Sequence, residues 1–79
     1  MQTFRVKDDA LRRVGTIRRR LAERDDSQVV RKAMLLLDCI TSGVGTIRVV
    51  PEKHQHMIYF DQEGHPPEFL FHFHPEQRD

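Results

Sequence analysis

The residues best suited to chemistry lie at opposite ends of the chain. All five histidines fall after residue 53, and four of them form two H-x-H pairs, His54-Gln55-His56 and His72-Phe73-His74. On a strand, residues i and i+2 share a face. Two such pairs on neighbouring strands would present four imidazoles, a donor set suited to nickel or copper. The competing reading is solvated histidines opposite a core face of Phe69, Phe71 and Phe73. We adopt it, so no metal and no cofactor are expected. His65 lies near Glu63 and Asp61, but in a turn rich in Gly and Pro where such residues are ordinary. There is no nucleophile-base pattern and no Gly-rich phosphate loop, which argues against an enzyme. At the other end, QTFRVK (residues 2–7) alternates strictly. Phe4 and Val6 fall on one side and Thr3, Arg5 and Lys7 on the other, the period of a strand buried on one face. Its polar row carries three hydrogen-bond donors.

These donors need elements to hold them. Within residues 9–24, Ala10, Val14, Ile17 and Leu21 recur at helical spacing, with Leu11 and Ala22 widening the stripe. Asp8 or Asp9 is suited to cap this helix. Gly15 is unfavourable inside it by about 1 kcal/mol relative to Ala. Asp25-Asp26 makes a turn, and Ser27 is placed to open a second helix running to about Thr41. Its apolar set is Val29, Val30, Ala33, Met34, Leu36, Leu37 and Ile40, wider than that of the first helix. Gly43 suits a left-handed C-terminal cap. After it the period changes. VGTIRVVP, HMIYFD and PEFLFHF read as three short strands of an up-and-down meander, and residues 75–79 as a frayed end. The pentapeptide VGTIR occurs twice, at 14–18 and 44–48, once among helical spacings and once among β-branched residues before a proline. Context should make the first copy helix and the second strand.

Composition narrows the class. Seventy-nine residues make one small domain, and chains this short bury little surface on their own. Cys39 is the single cysteine, which excludes an intrachain disulfide and suggests a buried thiol in a reducing compartment. No secretory signal and no membrane span are apparent, so a cytoplasmic location is expected. The net charge of +1 hides an asymmetry. Residues 1–43 hold ten Lys and Arg against six acids, and residues 44–79 hold three against six. The front can meet a polyanion and the rear is poorly suited to one.

A short strand followed by two helices cannot close a core alone. Two copies can, with the strands paired antiparallel across a two-fold axis and the helices packed beneath. Here QTFRVKDDALRRVGTIRRRLAERDDSQVVRKAMLLLDCI resembles the ribbon-helix-helix superfamily, the MetJ/Arc type of DNA-binding protein, over the first half of the chain. The SQVVRKAMLLL segment, with Arg31, Lys32 and Ala33 in a basic-basic-small run, carries much of the likeness. The resemblance implies an intertwined dimer with Phe4, Val6, Val30, Met34 and Leu37 in its core. It implies that the paired strands enter the major groove of double-stranded DNA, where Thr3, Arg5 and Lys7 read bases. It implies that the backbone at Ser27, Gln28 and Val29 holds a phosphate. Arg and Lys donors match guanine O6 and N7, Thr matches a thymine methyl, and a helix N-terminus offers free N–H groups to an anion.

The expected fold is therefore α+β. A ribbon-helix-helix unit for DNA binding and dimerisation spans residues 1–43, and a small β accessory element of three antiparallel strands spans 44–79. The expected function is a transcriptional regulator, a repressor by preference, acting as a homodimer or a dimer of dimers. The alternatives are an antitoxin-like protein whose C-terminal segment masks a partner, and a ribbon-helix-helix dimer used only for assembly. A second protein or an effector would meet residues 44–79.

Overall fold

The computed structural model describes the chain from Gln2 to residue 75, with side chains described from Asp8 onward. Helix α1 spans Gln2–Leu21 and helix α2 spans Asp26–Ser42. Strands β1 (Gly45–Pro51), β2 (His56–Gln62) and β3 (Glu68–Phe73) form one antiparallel sheet in the order β1-β2-β3. The architecture is thus α+β, two helices against a three-stranded meander.

One expected element differs. Residues 2–7 are helical and extend α1, where alternation suggested a strand. The physical reason is pairing. A lone strand leaves its N–H and C=O groups without partners, whereas a helix satisfies them from within the segment. Asp8 and Asp9 consequently lie inside α1 and do not cap it; Asp9 accepts an ion-paired hydrogen bond from Arg12 at 2.5 Å. The first described turns of this helix touch little, because Asp8 to Arg13 are all exposed. The molecule is drawn out as a result. Its radius of gyration is 14.7 Å and its extents are 49 × 32 × 21 Å, against about 12 Å for a compact chain of this length.

The helix ends are well defined. Ala22 adopts φ 56°, the left-handed conformation usually given to glycine. Its N–H donates to the Arg19 carbonyl and that of Glu23 to the Arg18 carbonyl, both at 3.1 Å. Ala22 therefore terminates α1 and does not widen its stripe. Asp25, with extended backbone, is the N-cap of α2, two residues before the expected Ser27. Gly43, at φ 73°, closes the helix as its position suggested.

In the sheet, Ile47 faces Phe60 and Val49 faces Ile58, while Thr46 faces Asp61 and Arg48 faces Tyr59. The first set lies on the side covered by the helices and the second on the open side. Among the described residues the core is small: Leu21, Val29, Cys39, Ile58 and Phe60. Burial, then Glu68 and Asp38, pushes the Cys39 thiol up, which keeps it protonated and unreactive. A bulge changes the far side of the sheet. Ile58 pairs with Phe71 but Tyr59 pairs with Phe69, so Leu70 is an extra residue. That shift moves Phe69 to the open face and leaves only Phe71 and Phe73 toward the helices, in place of the expected row of three phenylalanines.

The two VGTIR copies do fold differently, the first within α1 and the second leading into β1. Nothing lies within 4 Å of where a Gly15 methyl would sit. A methyl on Gly45 would collide with the Asp61 carbonyl oxygen and stand 2.8 Å from the Phe60 ring. Gly15→Ala is expected to raise stability by up to about 1 kcal/mol. Gly45→Ala is expected to lower it by about 1–3 kcal/mol, as overpacking does. Chemical denaturation of the two variants reads the difference, and changes of the same sign would contradict this account.

Candidate functional site

The α2 entrance is the best defined polar site in the front half. The Asp25 carboxylate accepts from the Ser27 hydroxyl at 2.7 Å and from the Gln28 backbone N–H at 3.3 Å. Ser27, then Gln28, hold its carboxyl below the usual carboxylate range, with Arg31 and Arg18 adding to the effect. Asp26 pairs with Arg18 at 3.2 Å. The helix N-terminus, whose free amides could hold a phosphate, thus already carries the chain's own carboxylate. Val29, expected beside that phosphate, buries its side chain in the core. Behind this turn Lys32 pairs with Glu23, closing the elbow between the helices.

The outer face of α2 is apolar. Val30 is 49% exposed, Met34 65% and Leu37 58%. Ile40 continues the row, and Val44 beyond the helix and Leu11 on α1 are also exposed. These residues form an exposed apolar stripe that is wide for so small a molecule. Next to it, α1, α2 and β3 leave an open groove of about 300 Å³ lined by Ile17, Leu21, Val29, Leu36, Phe71 and Phe73, among others.

The expected base-reading positions 3, 5 and 7 all fall on α1, where about 100° of rotation per residue prevents them from forming one row. The side-chain roles expected of Thr3, Phe4, Arg5, Val6 and Lys7 lie outside the described residues, as does the expected fraying at 76–79.

The four H-x-H histidines do not meet at one point, although the His72 and His74 rings lie edge-on at 5.7 Å. His56 pairs with Phe73, their rings 5.2 Å apart on the helix side, while His72 pairs with Met57 on the other side. The His74 ring nitrogen Nδ1 makes a hydrogen bond to the His54 carbonyl at 3.1 Å. Among the described residues no group of three or more His, Cys, Asp or Glu is placed to hold an ion.

The open face of the sheet carries a group that the sequence reading did not single out. Arg48 donates to Asp61 through two nitrogens, at 2.5 and 3.1 Å, and its guanidinium lies 4.8 Å from the centre of the Tyr59 ring. Tyr59 meets Phe69 edge-on at 5.7 Å. Arg48 holds the Asp61 carboxyl below its ordinary range. Once a meander is assumed, the i, j±2 relation of Arg48 and Asp61 is the signal that points to this pair.

Comparison with known protein families, with curated proteins and with solved structures finds no match. No helix among the described residues is long and apolar enough to cross a membrane.

Both depressed carboxyls link stability to pH in one direction. The fold favours ionised Asp25 and Asp61, so the stability they add is complete above the ordinary carboxylate range. It is lost as pH falls through that range toward their depressed values. Acidification through this window should lower the melting temperature of the wild-type chain more than that of Asp25→Asn/Asp61→Asn. Equal losses would show that these two groups do not contribute.

Proposed function

We propose that the chain is a DNA-binding transcriptional regulator of the ribbon-helix-helix type, acting as a homodimer and most simply as a repressor. The observation that carries the reading is the exposed stripe of Val30, Met34 and Leu37 on α2. It stands beside a first helix whose described residues from Asp8 to Arg13 are all exposed. A single copy leaves unburied the residues that two copies would bury between them. A helix end without tertiary contacts is marginal in water, because most helical stability comes from packing. In this reading residues 2–7 leave α1 when a second QTFRVK is present to pair with. In the paired form Phe4 and Val6 join the dimer core, and Thr3, Arg5 and Lys7 form one row on the outer face. The excess of basic residues in the first half supports a polyanion as the partner of that face. A two-fold protein favours a short palindrome or tandem half-sites.

One observation favours a second reading, a dimer of the same build used only for assembly. It is Asp25, whose carboxylate would have to swing aside before a phosphate could reach the Ser27–Val29 backbone. DNA binding separates the two, since a regulator's affinity falls steeply with salt and an assembly module has none to lose.

The first expected outcome concerns recognition. Arg5→Ala should abolish sequence-specific binding, measured on sites selected from random DNA, while the dimer sediments unchanged. Normal operator binding by that variant would remove the strand as the reader. The second concerns assembly. Phe4→Asp and Leu37→Glu should each dissociate the dimer, and a stable dimer of Leu37→Glu would refute the role given to α2.

A further inference from the structure

The sheet has two edges, and they differ. The β3 edge is broken by the bulge at Leu70 and carries Glu68 at its start. It ends where the His74 N–H donates to the Arg20 carbonyl at 2.6 Å, which ties it to α1. Bulges, charges and covering segments are the usual means of keeping an edge from pairing. Among the described residues the β1 edge has no bulge and no segment hydrogen-bonded along its outer side. Its seven residues run in unbroken register with β2 from Gly45 to Pro51. Thr46, Ile47, Val49 and Val50 are β-branched, and proline appears only at the end. Arg48, its single charge, is drawn back over the sheet by Asp61 and Tyr59. Val49 is 48% exposed, and Val44, just before the strand, is more so.

We propose that β1 is a second self-association surface, pairing antiparallel with β1 of another copy to join two sheets into one of six strands. The occupant follows from the strand's own pattern. An antiparallel two-fold sets each β1 against itself, so Ile47 and Val49 of both copies meet on the helix side and Thr46, Arg48 and Val50 on the other. The two Arg48 guanidiniums approach already neutralised, each by its own Asp61, and each copy's carboxylate offers the other's arginine a further partner. A highly charged ligand would find no net charge to recognise at this edge. The surface is separate from the α2 stripe, and it does not depend on whether the chain reads DNA. With two self-complementary surfaces, dimers would link into closed tetramers or open rows.

The test combines sedimentation with amide hydrogen exchange on the full chain over a wide range of concentration. The expected result is a species larger than the dimer at high concentration, with alternate β1 amides gaining protection as it forms. Val49→Lys places a charge at the edge, and the concentration for half-assembly should rise roughly tenfold or more. Val50→Lys, on the open side and opposite Met57 rather than Asp61, guards the edge without disturbing the helix side and should act the same way. A wild-type chain whose β1 amides gain no protection at any concentration overturns the proposal, whatever its sedimentation. So does β1 protection that is independent of concentration, which would mean that a segment of the same chain or dimer, such as residues 2–7, covers the edge. Assembly unchanged in both lysine variants also overturns it. DNA binding by Val49→Lys at low concentration should equal that of wild type, so loss of DNA binding in every form would count against the regulator and leave the edge proposal standing.

Discussion

The whole structure is organised around the inward side of β2. Ile58 and Phe60 are buried there, and each element either flanks them or covers them. β1 reaches Phe60 only because its first residue has no side chain, which lets the backbone close over the ring. β3 reaches Ile58 through Phe71, and the bulge immediately after that pair sets which of its remaining residues face inward. The helices cover this strip with Val29, Cys39 and Leu21, and no other apolar layer lies behind them among the described residues. Burial of apolar area is the dominant favourable term in folding. Here it is concentrated in one strand, so the sheet does not merely decorate the helical half but supplies the surface on which it rests.

The same economy explains why so much apolar surface is left over. One helical layer on one side of a three-stranded sheet covers only that side. The outer faces of α2, α1 and the sheet remain, and Leu11, Met34, Leu37 and Phe69 stand on them. Three of the ion pairs sit at seams, where they set geometry more than they add stability: Arg18–Asp26 and Lys32–Glu23 at the elbow, Arg48–Asp61 on the open sheet. The widest apolar stripe of the described residues, on α2, is thus left in water.

Much of this was legible in the sequence, and the exceptions have physical causes. The meander, the glycine stop at Gly43 and the divergent fates of the two VGTIR copies follow from period and turn chemistry. The strand expected at 2–7 is helix instead, since alternation states which face would be buried and not whether a strand forms. Asp25 displaced Ser27 as the cap because both residue types suit the position and only the backbone decides between them. The bulge at Leu70 was invisible to a strict period-2 reading, which carried Phe69 to the wrong face. The Arg48–Tyr59–Phe69 group depends on register, which no single strand encodes.

The hydrogen bond from His74 to the end of α1 has a consequence for the order of events during folding. The strand pairs of the meander join neighbours in the chain, and such local contacts form quickly. The bond from His74 to the Arg20 carbonyl spans most of the sequence. Closing a long loop has an entropic cost before it brings any contact. The helical elbow and the sheet can each take shape early, and their docking is the slow, non-local step that this one backbone bond records.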